Sequence, residues 1–386
     1  MKTIALDISV LNEKNKTGVG VYTHQLIKAL LSLNKKDKFI LFGVSTLQTY
    51  EYLKNIEFKK YPNVELKIFK MPAKFFRRAF LLWQTLNWPK IESLIGPVDI
   101  LHSFSWNLPP IKKGKMVAGV FDMTPFLFPE LHLKKTIQLD KVRLERIKKY
   151  ADLVITISQN SKEDFLKFAP EKKVEVIYPG IGDIFLDKHT DNSKKILAKY
   201  NLKSGFILSV GTIEPRKNLV RLVRTFSLLV NSINRVNEKI SNELQLVIAG
   251  SKGWLSDEIY KLPKKLRIED SVKFLGRVED KDLAELYKNA FCLLYPSFYE
   301  GFGIPVLEAQ ASGCPVITSS VSSLPEAGGK GAIYVDPYSV EEMVEAIKKY
   351  QISNFRSQMI KQGFENIKRF SWEESAKKLN FLYQKL

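Results

Sequence analysis

The segment Tyr299-Glu300-Gly301-Phe302-Gly303-Ile304-Pro305-Val306-Leu307-Glu308 sets two carboxylates eight positions apart, with a Gly-Phe-Gly turn behind the first. An apolar run, Phe291–Tyr295, leads into it, and a short apolar helix is predicted from near Ile304. That order puts Glu300 in a loop at a strand's carboxyl end and Glu308 about one helical turn further on. The backbone amides of Gly301, Phe302, Gly303 and Ile304 then open a helix, where unpaired N–H groups and the helix dipole favour an anion. Carboxylates that can hold sugar hydroxyls, beside amides that can hold a phosphate, suit a nucleotide sugar.

Further chemistry is expected after other apolar runs. Gly211-Thr212-Ile213-Glu214-Pro215-Arg216-Lys217-Asn218 follows Phe206–Val210. The planar fork of Arg216 and the point charge of Lys217 both suit a diphosphate, and two cations there would neutralise charge building on a leaving group. A surface charge pair beside a helix is the plainer alternative. Thr17-Gly18-Val19-Gly20-Val21-Tyr22 follows the first run, and Gly18 and Gly20 would let backbone approach a ligand; an ordinary turn is the alternative. Asp122 closes the run Lys115–Phe121 and could accept a hydrogen bond from a sugar or acceptor hydroxyl, or simply cap a turn. His102 ends another run, as a candidate acceptor or sugar contact or a structural histidine. Gly276-Arg277-Val278 ends Val272–Leu275 and could meet a nucleobase through backbone groups.

These loops need a scaffold, and short apolar runs alternating with helical patterns predict parallel α/β architecture. In the first half, strands are expected near Thr3–Ile8, Phe39–Phe42, Val64–Phe69, Ile100–Ser103, Lys115–Phe121, Leu153–Ile157 and Val174–Tyr178. Helices are expected near Val19–Ser32, Phe75–Ile95, Lys135–Tyr150 and Ser158–Phe168, the last capped by Ser158 or Ser161. After the turn cluster Tyr178–Gly182 the pattern restarts with Phe206–Val210, Leu244–Ala249, Val272–Leu275, Phe291–Tyr295 and Val316–Thr318. Two doubly wound domains follow, residues 1–185 and 186–368, and an amphipathic helix, 369–386, expected to pack back on the first. Ligands of open α/β sheets sit beyond the strands' carboxyl ends, so the expected site is a cleft between the two sheets.

Composition narrows the class. The 386 residues carry a net charge of +19, with 31 Lys and Arg against 19 Asp and Glu in residues 1–190. Lys67, Lys70, Lys74, Arg77 and Arg78 interleave with Phe69, Phe75, Phe76, Phe80 and Trp83. Such a segment suits an anionic membrane surface, or else a surface helix with its aromatics turned inward. No nucleic-acid-binding signature accompanies the charge. No apolar run reaches the length of a membrane span, and the N-terminus resembles a first strand more than a signal peptide. Cys292 and Cys314 lie in apolar runs as buried thiols, consistent with a cytoplasmic protein. The four histidines, His24, His102, His132 and His189, show no metal-ligand spacing, and neither a Gly-x-Ser-x-Gly elbow nor a Walker phosphate loop occurs.

Taken together, these motifs resemble the retaining glycosyltransferases of family 4. The resemblance spans nearly the whole chain. It is most specific from Phe206 to Pro337: Glu214-Pro215-Arg216-Lys217-Asn218, Leu275-Gly276-Arg277-Val278, Tyr295-Pro296-Ser297, the Glu300/Glu308 segment and Ser322-Ser323-Leu324-Pro325-Glu326. It is looser at Asp7, Gly18, Gly20 and Asp122. It implies two Rossmann-like doubly wound α/β domains facing each other across a cleft, the GT-B architecture. It implies transfer of a hexose or deoxyhexose from a UDP- or GDP-type nucleotide sugar to a glycan or lipid-linked acceptor, with retention and without a metal or other cofactor. Arg216, Lys217, Glu300 and Asp122 would be catalytic, Glu308 would bind the ribose, and Gly18, Gly20, Gly211, Val278 and Gly301 to Ile304 would hold the donor. Relatives commonly place a histidine before the aspartate matched by Asp122; here Phe121 stands there. The work would be cytoplasmic, or peripheral on the inner face of the cell membrane. A nucleotide-sugar epimerase and a non-catalytic nucleotide-sugar binder remain the alternatives.

Overall fold

The computed structural model describes residues 1–11, 18–46, 49–71, 82–104, 108–187, 192–234 and 244–386. It divides into two compact units, residues 1–180 with 370–386 and residues 181–369.

The first unit is built on seven parallel strands: β1 (Thr3–Asp7), β2 (Lys38–Ser45), β3 (Val64–Lys70), β4 (Ile100–Ser103), β5 (Lys115–Val120), β6 (Leu153–Thr156) and β7 (Val174–Val176). Their order in the sheet is β3-β2-β1-β4-β5-β6-β7. The central strands bury both faces, which is why they appear in sequence as unbroken apolar runs. Winding reverses between β1 and β4. The helix Gly18–Leu33 follows β1 and packs against the terminal helix Trp372–Lys385, which buries Leu379, Leu382 and Tyr383. Asn34 donates to Asn380 at 2.6 Å, and Lys2 donates to the Tyr383 carbonyl at 2.7 Å.

The second unit has six parallel strands: β8 (Phe206–Val210), β9 (Leu246–Ala249), β10 (Val272–Gly276), β11 (Ala290–Tyr295), β12 (Val316–Ser319) and β13 (Ala332–Val335). They lie in the order β10-β9-β8-β11-β12-β13, with the reversal between β8 and β11. The core on one face gathers Ile207, Leu222, Phe226, Ile248, Leu294, Ile317 and Met343.

Two departures from the sequence expectations stand out. The edge strand β13 has no counterpart among the expected strands. Its four residues, Ala332-Ile333-Tyr334-Val335, do form a short apolar run, half-exposed in its middle and flanked by Gly331 and Asp336-Pro337. The helix expected over Phe75–Ile95 is not continuous: residues 82–86 are helical, Asn87 is left-handed at φ 52°, and helix resumes only at Glu92–Ile95. Pro89 cannot continue a helix and disfavours helical geometry in the residue before it. Residues 75–81 of that expectation, with Lys74, Phe75, Phe76, Arg77, Arg78 and Phe80, lie outside the described residues. Of the two candidate caps, Ser158 fills the role, its hydroxyl accepting from the Ser161 amide at 2.9 Å.

Candidate functional site

The reversal between β8 and β11 opens a gap at the carboxyl end of the second sheet, and the two loops that flank it carry the charged residues. After β8, a short 3-10 turn (Pro215–Lys217) ends at Asn218, which is left-handed at φ 58°. The Asn218 amide donates to the carbonyls of Pro296 (3.0 Å) and Pro337 (2.6 Å), tying this loop to those after β11 and β13. Arg216 reaches Glu214 Oε1 through Nε (2.9 Å) and Nη2 (2.7 Å), and through Nη1 donates to the Tyr299 carbonyl (2.8 Å) and Glu300 Oε2 (2.6 Å). Lys217 donates to Glu300 Oε1 at 2.7 Å and to the Tyr295 hydroxyl. Gly211 has φ 135°, and a Cβ there would stand 3.0 Å from Lys217 Cε, so this glycine is needed both for its backbone and for the lysine's path.

The loop after β12 holds Glu300 from the other side. The Glu300 amide donates to Ser322 Oγ at 3.0 Å, and Ser323 Oγ lies 2.8 Å from the Glu300 carbonyl and 2.9 Å from that of Phe302. Gly303, at φ 109°, caps the helix Ile304–Ala311. Gly301 and Phe302 are buried beneath this turn.

The two carboxylates of the motif have opposite electrostatics. Burial alone would raise the Glu300 carboxyl, but the adjoining Arg216 and Lys217 charges hold it down to about 2. Burial draws the Lys217 ammonium downward, with Glu300 pulling it back. Glu214, Glu300, Arg216 and Lys217 thus form a set that is formally neutral. Glu308, by contrast, is pushed up to about 8 by burial, with Asp280 adding to the shift. The Tyr287 hydroxyl donates to it at 3.1 Å. At neutral pH its carboxyl is largely protonated and can donate as well as accept.

Val278 is half-exposed in the loop beyond β10, where Gly276 takes φ 66°. In the first unit the candidate residues lie apart in character. Gly18 is exposed at the start of its helix with open space where a Cβ would be, and Gly20 is buried within the first turn. Asp122 Oδ1 accepts from the amide of Thr124 (3.0 Å) and from its hydroxyl, a turn-capping arrangement for that oxygen. Phe121 is buried edge-on to Tyr22, with ring centroids 5.2 Å apart. His102 is fully enclosed in β4, stacked on Phe104 and bonded through Nδ1 to the Tyr383 hydroxyl. Burial lowers its pKa to about 3, so the ring is neutral. The structure gives His102 no surface to offer a sugar: its contacts join strand to terminal helix.

Sequence reasoning quoted several residues that build the site only as parts of matched motifs, with no role for them, and passed over Tyr287. Glu214, Tyr295, Asn218, Ser322 and Ser323 position the charges, and Tyr287 holds Glu308. Asp280-Lys281-Asp282 has the spacing of a metal-binding aspartate pair and was also missed. It opens the helix Asp280–Asn289, where the Asp282 carboxylate accepts from Lys199 and Tyr200. Among the described residues no group of three or more His, Cys, Asp or Glu could hold a metal ion. Cys292 and Cys314 are buried free thiols, pushed up in pKa by that burial.

Two family models match the chain, one per unit: Glycosyltransferase Family 4 over residues 16–183 and Glycosyl transferases group 1 over residues 191–366. The chain is 29% identical over 367 residues to the O-antigen chain mannosyltransferase B of Escherichia coli, covering 92% of this chain and 93% of that one. In fold it is similar to the sucrose-phosphate synthase of Thermosynechococcus elongatus, at a TM-score of 0.74 and 21% identity, over 100% of this chain and 99% of the other. The Anabaena protein HepE, solved with UDP and glucose, matches at a TM-score of 0.71 and 16% identity over 100% of both chains. Both likenesses speak for two Rossmann-like domains.

Removing the central carboxylate tests this electrostatic arrangement. Glu300→Ala leaves Arg216 and Lys217 without their shared counter-charge and is expected to cost about 3–5 kcal/mol in urea unfolding at pH 7. Because Glu300's folded pKa is depressed, its contribution is present above about pH 4.5 and fades as pH falls toward about 2, so wild type and variant should converge in acid. A neutral-pH loss below about 1 kcal/mol would mark the pair as energetically idle.

Proposed function

The chain belongs to the family 4-type glycosyltransferases of GT-B architecture, and from that premise we propose that it is a retaining, metal-independent hexosyltransferase of polysaccharide synthesis. The observation that carries this is the convergence of Arg216, Lys217 and Glu300 at the switch point of the second sheet. Arg216 and Lys217 take the diphosphate of the donor. Glu300 takes hydroxyls of the transferred sugar, and the amides of Gly301 to Ile304 complete the phosphate cradle. Glu308, able to donate from its protonated carboxyl, takes the ribose. Gly211 and Val278 line the nucleotide, and Gly18, Gly20 and Asp122 serve from the first unit. The donor is a UDP- or GDP-type nucleotide hexose. The name of the Escherichia coli relative favours mannose as the sugar and an O-antigen-like glycan as the acceptor. The work is done in the cytoplasm or at the inner face of the membrane.

Retention follows most simply from front-face attack. The bond from the anomeric carbon to the diphosphate oxygen breaks, the acceptor oxygen bonds to that carbon on the same face, and its proton passes to the departing diphosphate oxygen. Glu300 is a poor nucleophile for the alternative double displacement. Its carboxyl is held to about 2, and both oxygens are engaged by cations. Neutralising the charge that builds on the diphosphate is then the main catalytic task, and Lys217 and Arg216 perform it.

Three measurements test this. In a thermal-shift screen, UDP or GDP and the matching nucleotide hexose should raise the melting temperature in proportion to affinity; failure of every nucleoside diphosphate and nucleotide sugar to do so rules the donor out. With the donor identified, Lys217→Ala should cut turnover by about 10²–10³, the usual cost of one lost transition-state donor. Near-native turnover would remove Lys217 from the chemistry. Treatment with a chelator should leave transfer intact, and a loss that added divalent metal restores would refute the metal-free reaction. Conversion of donor to another nucleotide sugar without acceptor would point to an epimerase.

A further inference from the structure

The crossover from β3 to β4 turns apolar side chains outward where a core-packed segment would hide them. Within residues 82–86, Trp83 packs toward the first unit's core and donates to the Pro89 carbonyl at 2.6 Å, and Gln84 is buried. Leu82 and Leu86, one turn apart on the opposite side, are 59% and 61% exposed. Trp88 follows at 71%, and Leu94 at 44%. Such residues scattered singly would mean nothing, but four within thirteen positions concentrate exposed apolar surface on one connection.

The surroundings are basic. Ile91 donates to the Pro110 carbonyl at 2.8 Å, and Glu92 Oε1 accepts from the amides of Lys112 (2.7 Å) and Lys113 (2.9 Å). These bonds bring the exposed Lys112 and Lys113 against the segment that carries Leu94, with Lys90 close by in sequence. Glu92 is the one acid within Leu82–Leu94; its Oε1 accepts from those two amides, and Lys90, Lys112 and Lys113 outnumber it. Leucines and a tryptophan beside solvent-facing lysines fit the boundary between headgroups and acyl chains: Trp prefers that interface, and lysines add attraction to anionic lipid.

We propose that the Leu82–Leu94 segment and the Lys112–Lys113 turn form a docking surface for an anionic lipid bilayer. It deepens the proposed function on its acceptor side, since it would hold the enzyme where lipid-linked glycans are, yet it stands on residues outside the donor site. No helix among the described residues is long and apolar enough to cross a membrane, so attachment by this surface is peripheral and reversible.

The test is co-sedimentation of the full chain with vesicles of phosphatidylglycerol and phosphatidylethanolamine, against vesicles of phosphatidylcholine alone. The chain should pellet with the anionic vesicles, less so as salt rises, and stay in solution with the neutral ones. The double variant Leu86→Glu/Trp88→Glu should weaken partitioning at least tenfold, and Lys112→Glu/Lys113→Glu by a comparable factor, with melting temperature and nucleoside diphosphate binding unchanged. Retained nucleotide binding in these variants separates this surface from the donor site, so either can fail without the other. Wild-type chain that stays in solution with anionic vesicles overturns the proposal, as do variants that pellet like wild type. Gel filtration showing a dimer that Leu86→Glu/Trp88→Glu dissociates would assign the surface to a second copy instead.

Discussion

The second unit depends on one buried electrostatic arrangement: Glu300 shared between Arg216 and Lys217, with Arg216 steadied from behind by Glu214. Buried charges of one sign at this density would be untenable, because each ion loses several kcal/mol of hydration. Alternating them lets two cations stay ionised in a poorly hydrated place. The surrounding backbone is shaped to serve this. Gly211 clears the lysine's path, Asn218 turns the loop, and Ser322 and Ser323 fix the peptide that carries Glu300.

Topology explains why these residues meet at all. Arg216 and Glu300 are 84 positions apart. Strands β8 and β11 are neighbours whose connections leave in opposite directions, so the loops at their carboxyl ends diverge and leave a gap. Both loops must deliver side chains into that gap, and the Asn218 amide bridges them directly. The same reversal in the first sheet, between β1 and β4, places His102 beside the terminal helix, where it serves packing.

Much of this was legible in the chain. Parallel strands buried on both faces leave continuous apolar runs, so twelve of the thirteen strands among the described residues could be placed, with ends shifted by a residue or two except at β2, which runs three residues further. β13 was passed over although Ala332-Ile333-Tyr334-Val335 is itself a short apolar run. Arg216, Lys217 and Glu300 stood out because charges at the ends of apolar runs are conspicuous. Asn218, Ser322 and Ser323 entered only as members of matched motifs, without a role, since a small polar residue that bonds backbone carbonyls looks like any turn residue until the turn is folded. The contrast between Glu300 and Glu308 was also hidden. Both are glutamates of one motif, and only the folded surroundings separate their ionisation: two adjoining cations hold Glu300 down, whereas burial, with Asp280 adding to it, pushes Glu308 up. His102 shows the reverse error: its place at a strand end suggested a contact, but Phe104 and Tyr383 enclose it.

The pairing of Glu300 with both cations has a consequence for turnover in the proposed reaction. In that reaction the Glu300 carboxylate would be an internal rival of the diphosphate for both cations. A whole nucleotide sugar can compensate by offering Glu300 new hydroxyl partners as it takes the cations away. A spent nucleoside diphosphate has no sugar to offer, so the carboxylate swings the balance back toward its original companions and helps to evict the by-product. On that reading the same side chain would admit the intact donor and work against clogging by what is left of it.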